Sequence, residues 1–181
     1  MVEKKINDIV IVGAGPAGLT ASIYAARAGL SAVVLDELGA GGQLLSIDNL
    51  ENYPGFPDGI NGFEVAYSLR LQAERFGAVI ENDKAIGISL GKGNGDDARF
   101  VVQGTQGSYP ARSVIIATGA KPVPLPVDGD ASLVGKGISY CAACDGNFFR
   151  NKDVILVGLL PMWCIYAALR KQFIWCIAAK S

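Results

Sequence analysis

Ile9-Val-Ile-Val-Gly13-Ala-Gly15-Pro-Ala-Gly18, followed by the alanine-rich run 19–28, decides how the rest of the chain is read. Four apolar, mostly β-branched residues predict a buried strand. The glycines break it, and Pro16 with the neighbouring alanines starts a helix. Each glycine has its own physical task. Gly13 allows a tight turn, Gly15 lets the backbone approach a pyrophosphate, and Gly18 lets helix and strand pack closely. The helix start, with Ala14, Pro16 and Ala17 around it, would offer unpaired N–H groups and a partial positive charge to that phosphate. Ser31-Ala-Val-Val-Leu35 predicts the second strand. Asp36 and Glu37 end it about twenty residues past the turn, where an acidic side chain accepts hydrogen bonds from a ribose. The competing reading is a glycine-rich turn in an ordinary βαβ unit. Strand, turn, helix, strand and acid in this order favour a dinucleotide site.

Composition narrows the chemistry. The chain has 181 residues, 50% of them hydrophobic, and a formal net charge of −1. That length suits one large domain or one and a fraction. Near-neutral charge gives no basic surface for nucleic acid or anionic lipid. There is no histidine, which excludes histidine general bases, Cys–His dyads and histidine-ligated metals. Glu3, Lys4 and Lys5 lead directly into the first strand without a secretory pattern. Four cysteines, two of them close together, do not form a disulfide-stapled scaffold. A reducing, cytoplasmic setting is expected.

Downstream, residues 38–60 read as a long loop containing Gly41-Gly42-Gln43-Leu44 and Glu51-Asn52-Tyr53-Pro54-Gly55-Phe56-Pro57. A loop of this length is more often functional than idle. Gln43, Asn52 and Tyr53 suit the edge and face of a flat heterocycle, although a plain surface excursion would read the same way. Asn61-Gly-Phe-Glu64 predicts a helix start with a capping box. Phe63, Ala66, Leu69, Ala73 and Phe76 recur as one apolar face, and Gly77 closes the helix. Residues 78–80 and 85–90 predict short strands, residues 92–97 a polar turn, and residues 100–102 a returning hairpin strand. Such a β excursion is expected to cover one face of a parallel sheet. Residues 113–117 predict another buried strand, ending at Thr118-Gly119-Ala120, where small groups let a ligand approach the sheet edge. Lys121-Pro-Val-Pro-Leu-Pro126 cannot be helix and reads as a stiff linker.

Beyond the linker stands Tyr140-Cys141-Ala-Ala-Cys144-Asp145-Gly146. Two cysteines at this spacing can close a small disulfide ring, chelate a metal or do nothing. Zinc would need two further ligands, and only Cys164 and Cys176 remain, in apolar runs. A redox pair is favoured. Asp145 is the ionisable neighbour that could exchange protons with the thiols, or a helix cap.

Taken in order, the glycine fingerprint, Gly-Gly-Gln-Leu, Glu-Asn-Tyr-Pro-Gly, Ala117-Thr118-Gly119 and Tyr-Cys-Ala-Ala-Cys-Asp-Gly resemble the low-molecular-weight, bacterial-type thioredoxin reductases. The resemblance covers about residues 6–157. It implies an α/β fold: a Rossmann-like FAD-binding three-layer (ββα) domain with a parallel sheet, followed by a second, pyridine-nucleotide-type α/β domain. The boundaries would be 1–120 for the FAD-binding part, 121–126 for the linker and 127–181 for an incomplete NADPH-type domain carrying the cysteines. It implies FAD as cofactor, NADPH as the family's electron donor, a thioredoxin-like protein as partner and a homodimer as the usual assembly. Carried over by position, Gly13, Ala14, Gly15, Pro16, Ala17 and Gly18 would cradle the FAD pyrophosphate, with Asp36 and Glu37 at the ribose. Gly41, Gly42, Gln43, Leu44 and Asn52 would line the flavin side and Ala85 the adenine, while Ala117, Thr118 and Gly119 would close the pocket. Cys144 would face the flavin, Cys141 would attack the partner's disulfide, and Asp145 would serve as its acid.

The resemblance ends sharply after Val157. Where the family places a second glycine fingerprint for NADPH, this chain reads Gly158-Leu-Leu-Pro161-Met-Trp-Cys164. The expectation is a reductase truncated or frame-shifted after about residue 157. Two other readings stay open. One is a non-catalytic flavin- or nucleotide-binding module that self-associates through its apolar tail. The other is a related reductase drawing electrons from a donor such as reduced ferredoxin. Residues 154–169 are uncharged but shorter than the roughly twenty residues of a membrane span, and Pro161 interrupts them. A buried strand and a helix are expected there, not a membrane segment.

Overall fold

Strand β1 (Asn7–Val12) lies inside the sheet of the first unit, and its alternation builds two cores. Ile9 and Ile11 face the helices. Val10 and Val12 face the other way, toward the β excursion. The computed structural model describes residues 6–91, 98–120, 124–125, 128, 130–134, 136–140, 154–157 and 174–176. The chain forms two compact units, Met1–Ala120 and Lys121–Ser181.

In the first unit, α1 (Pro16–Arg27) follows β1, and β2 (Ala32–Leu35) returns parallel to it with Ile9 opposite Ala32. A 3-10 turn (Gly42–Ser46) and α2 (Gly62–Arg75) follow, then β3 (Val79–Glu81), β4 (Ala85–Leu90), β5 (Phe100–Gly104) and β6 (Ser108–Ile116). The six strands form one sheet ordered β3-β2-β1-β6-β5-β4. Pairing is parallel from β3 to β6 and antiparallel from β6 to β4. Strand β6 belongs to both parts. Its first half, through Ala111, pairs with β5; Ala111 and the residues after Arg112 pair with β1.

The result is three layers. Ile11, Leu19, Ile23, Val34, Ala73 and Ala78 join sheet and helices. On the opposite face Val10, Leu35, Val102 and Ala111 join the sheet to the β excursion, with Ala85 and Tyr109 beside them. The excursion therefore covers one face of the parallel sheet, as its sequence predicts. Each fully buried Val, Leu or Ile in these cores contributes about 1.5–3 kcal/mol relative to exposure.

Two expectations change. The face of α2 that packs inward is carried by Gly62, Val65, Ala66 and Ala73, with Leu69 beside them. Phe63 is 57% exposed and stacks on Tyr67, and Phe76 lies under the Arg27 guanidinium. Small residues bring α2 close to its neighbours, which leaves the large rings at the rim. The loop 38–60 is also more ordered than its composition suggests. Leu50 and Ile60 exchange backbone hydrogen bonds of 2.7 and 3.1 Å, and Leu44 and Leu50 are buried against Val65 and Ala66. Asn61 caps α2, its side chain accepting from the Phe63 N–H at 2.9 Å.

In the second unit, the short α3 (Asp130–Leu133) precedes β7 (Ile155–Val157), which pairs in parallel with β8 (Ile174–Cys176). The strand expected within 154–169 is β7. Its partner β8 had no counterpart in the sequence reading, because three residues are too few to show a period. Among the described residues no helix is long and apolar enough to cross a membrane.

Candidate functional site

The end of β1 meets the ends of β2 and β6 at the start of α1. Gly13 has φ +104°, and a Cβ there would strike the Ala117 carbonyl oxygen. A Cβ at Gly18 would strike the Gly13 carbonyl oxygen and press on Ile11. The fold itself requires both glycines. Gly15 differs: its φ of −72° suits any residue, and a Cβ built on it meets nothing within 4 Å. Nothing in the described chain requires glycine at position 15. The space above it lies at the N-cap of α1, where Pro16 opens the helix and no side chain caps the first turn. That start therefore carries N–H groups and the positive end of the helix dipole without a capping side chain or an acidic residue in its first turn.

The surrounding segments brace this turn. Gly13 N–H donates to the Leu35 carbonyl at 2.8 Å, and Ala14 N–H donates to Asp36 Oδ2 at 2.7 Å. Asp36 Oδ1 accepts from Leu38 N–H at 3.0 Å. Each carboxylate oxygen keeps a lone pair for a further donor. Gly41 N–H donates to the Ala14 carbonyl at 2.8 Å, and a Cβ at Gly42 would stand 3.1 Å from Gly15 Cα. Gln43 Nε2 donates to the Ala120 carbonyl, and Ala117 N–H donates to the Val12 carbonyl at 2.8 Å. Fingerprint, β2 end, 41–43 loop and β6 end thus converge.

Other candidates sit differently. Thr118 and Gly119 are exposed just past β6. The Leu44 side chain is buried in the core with Leu50, Val65 and Ala66, so its backbone is the part of it that faces the loop. Asn52 is exposed in a shallow hollow lined by residues 51–57, where Tyr53 and Phe56 approach with ring centres 6.2 Å apart. Ala85 is half-buried at the start of β4, packed with Val10 and Leu35. Glu37 is exposed and its carboxylate pairs with Lys84 Nζ at 3.0 Å, so Asp36 is the acid turned toward the fingerprint. Cys141, Cys144 and Asp145 lie outside the described residues. Among the described residues no cluster of histidine, cysteine, aspartate or glutamate could hold a metal ion.

The turn 82–84 was missed by the sequence reading. With its amide nitrogen toward β2, Asn82 donates to the carbonyls of Glu37 and Asp36 at 2.9 and 3.1 Å. Asp83 is 3% exposed and accepts from Thr105 N–H and hydroxyl at 2.8 and 2.7 Å, from Gln106 N–H at 3.0 Å and from the Tyr109 hydroxyl at 3.0 Å. The Thr105 hydroxyl and these further donors hold the Asp83 carboxyl below its ordinary range, against the opposing effect of burial. Burial and the Asp83 carboxylate push the Tyr109 phenol up to about 12. The available signal was a polar Asn-Asp-Lys turn immediately before Ala85.

The model of the family described as pyridine nucleotide-disulphide oxidoreductase matches residues 7–158. Thioredoxin reductase of Treponema pallidum is 47% identical over 151 residues, covering 83% of this chain and 48% of that protein. The bifunctional thioredoxin reductase/thioredoxin of Mycobacterium leprae is 41% identical over 156 residues, covering 86% and 33%. The crystal structure of thioredoxin reductase from Streptococcus pyogenes superposes with a TM-score of 0.77 at 36% identity, over 96% of this chain and 56% of that one. The chain thus spans about half the length of these reductases, and a third of the bifunctional one.

Proposed function

This chain belongs to the pyridine nucleotide-disulphide oxidoreductase family, among the bacterial-type thioredoxin reductases, and we propose that it is an FAD-dependent disulfide reductase acting on a thioredoxin-like protein. One observation carries the cofactor assignment: Gly15 is glycine where the fold does not need one, beside an uncapped helix start. A pyrophosphate fits both facts, since it must approach the backbone closely and bring negative charge to the helix dipole. Gly13 and Gly18 hold the turn, Asp36 accepts the ribose hydroxyls, and Ala85 borders the adenine. Gly42, Gln43 and Asn52 line the flavin side, with Thr118 and Gly119 closing the pocket. Bound FAD supplies a two-electron donor at the carboxyl ends of the parallel strands.

The chain's own thiols then do the exchange. Cys141 thiolate attacks the partner's disulfide, forming a mixed disulfide and releasing one partner thiolate, which takes a proton from Asp145. Cys144 attacks Cys141 Sγ, closing the Cys141–Cys144 disulfide and freeing the second partner thiol. Two electrons and two protons have moved to the partner. The sequence Gly158-Leu-Leu-Pro161 has one glycine and a proline where the family places its second phosphate turn, so no NADPH site is assigned to that stretch. A cytoplasmic, homodimeric protein fits the same reading.

The test begins with an absorption spectrum of the chain after incubation with FAD and removal of the excess. Retained flavin bands, with Cys144→Ser keeping the flavin but losing all disulfide reduction from a dithionite-reduced sample, are expected. A colourless protein contradicts the cofactor assignment. Unchanged reduction by Cys144→Ser contradicts the thiol assignment.

A further inference from the structure

We propose that Asp83 is a positioning residue for the dinucleotide site, holding the turn 82–84 against the end of β2 so that Asp36 stays aimed at the ribose. The inference rests on the FAD reading above. A carboxylate that is 3% exposed and accepts from two backbone N–H groups and two hydroxyls is a rigid anchor. It ties the β5–β6 turn to the β3–β4 turn, two segments more than twenty positions apart. Gln106 Nε2 adds a bond to the Asn82 carbonyl at 2.8 Å, and Thr105 N–H a bond to the Lys84 carbonyl at 3.1 Å. A Cβ at Gly104 would run into the Asp83 carboxylate, so the two turns fit tightly.

The anchored turn then grips the end of β2 at several points. Asn82 donates to the carbonyls of Asp36 and Glu37, and Lys84 Nζ pairs with the Glu37 carboxylate. Asp36 N–H donates to the Glu81 carbonyl at 3.1 Å. Asp36 in turn holds Ala14 N–H in the fingerprint. The path runs from a buried clamp along the 82–84 turn, through hydrogen bonds and an ion pair to the backbone and side chains at the end of β2, and so to the carboxylate that meets the ligand. Asp83 does not touch the dinucleotide on this account; it acts through Asp36.

The experiment is a fluorescence titration of FAD onto the full chain in four backgrounds: wild type, Asp83→Ala, Asp36→Ala and the double variant. Asp83→Ala is expected to weaken FAD about 10-fold in the wild-type background and to change nothing once Asp36 is alanine. A merely structural role would give the same loss in both backgrounds. That result, or an unchanged affinity for Asp83→Ala, overturns the proposal. Should Asp83→Ala not fold, Asn82→Ala breaks the grip at an exposed residue. It is expected to weaken FAD several-fold, again only with Asp36 present, and an equal loss without Asp36 would refute the path. Wild-type chain that binds no FAD refutes the underlying cofactor reading instead, and the positioning role falls with it.

Discussion

An aspartate is bonded across the sheet near each end of β1, Asp8 within the strand and Asp36 just past β2, and the two ends are finished in opposite ways. At the amino end, Asp8 Oδ2 accepts from the Ser31 N–H and hydroxyl at 2.8 Å each, while Arg112 closes on Oδ1 at 2.8 Å. Serine, cation and carboxylate satisfy one another. At the carboxyl end, Asp36 holds two backbone N–H groups beside a helix start that no side chain caps and a glycine with open space above it. One end is sealed from within, and at the other no side chain caps the helix. In open parallel sheets ligands bind outside the carboxyl ends of the strands, and this contrast shows the physical reason.

The contrast can be broken most severely at Gly18. Valine there must displace the Gly13 carbonyl oxygen, which is backbone and cannot swing aside. Gly18→Val is expected to cost on the order of 3 kcal/mol or to prevent folding, read by denaturant unfolding. A stable variant would mean the helix–strand contact is looser than described. A smaller effect sharpens the comparison from the other side. Ser31→Ala removes hydrogen bonds from the sealed end, so it is expected to lower the unfolding midpoint by a few degrees and leave FAD affinity unchanged. A change in FAD affinity would show that the two ends are not independent.

The smallest effect is in pH dependence. Asp8 is held low by the Ser31 backbone N–H and hydroxyl and by Arg112, and Asp83 is held low by the Thr105 hydroxyl and its other donors. For both, the folded value lies below that of the unfolded chain, about 3.9. Their contribution is present above that pH and is lost as pH falls through the folded values. Tyr109 has the opposite sign. Raised to about 12, it contributes fully below the unfolded value of about 10 and loses that contribution as pH rises through 12. Stability measured against pH is expected to be flat between these limits, to fall on both sides, and to lose most of its alkaline decline in Tyr109→Phe.

Much of the fold was legible because periodicity and glycine placement are local signals. The βαβ unit and the covering β excursion follow from them, whereas only the family resemblance places Gly42 and Ala117 beside Gly13 and Asp36. What escaped depends on distant partners. The first half of β6, which contains Pro110, has no apolar run to mark it and is strand because it pairs with β5. The rings of Phe63 and Phe76 seemed to define the inner face of α2, but close packing selects the small Ala66 and Ala73. Leu44 stands among polar loop residues, and only the Leu50–Ile60 bridge shows that its side chain joins the core. The role of Asp83 needed Thr105 and Tyr109, which sequence spacing does not connect to it.

The most direct test of the open carboxyl end is an FAD titration comparing wild type with Gly15→Ala. The alanine fits the φ of −72° and meets no neighbour within 4 Å, so the unliganded protein should be as stable as wild type, or up to about 1 kcal/mol more stable. Its methyl group occupies the space assigned to the pyrophosphate. FAD affinity is expected to fall at least about 10-fold, or 1.4 kcal/mol. Equal affinity in the two proteins would contradict the account, because Gly15 would then be glycine for no ligand.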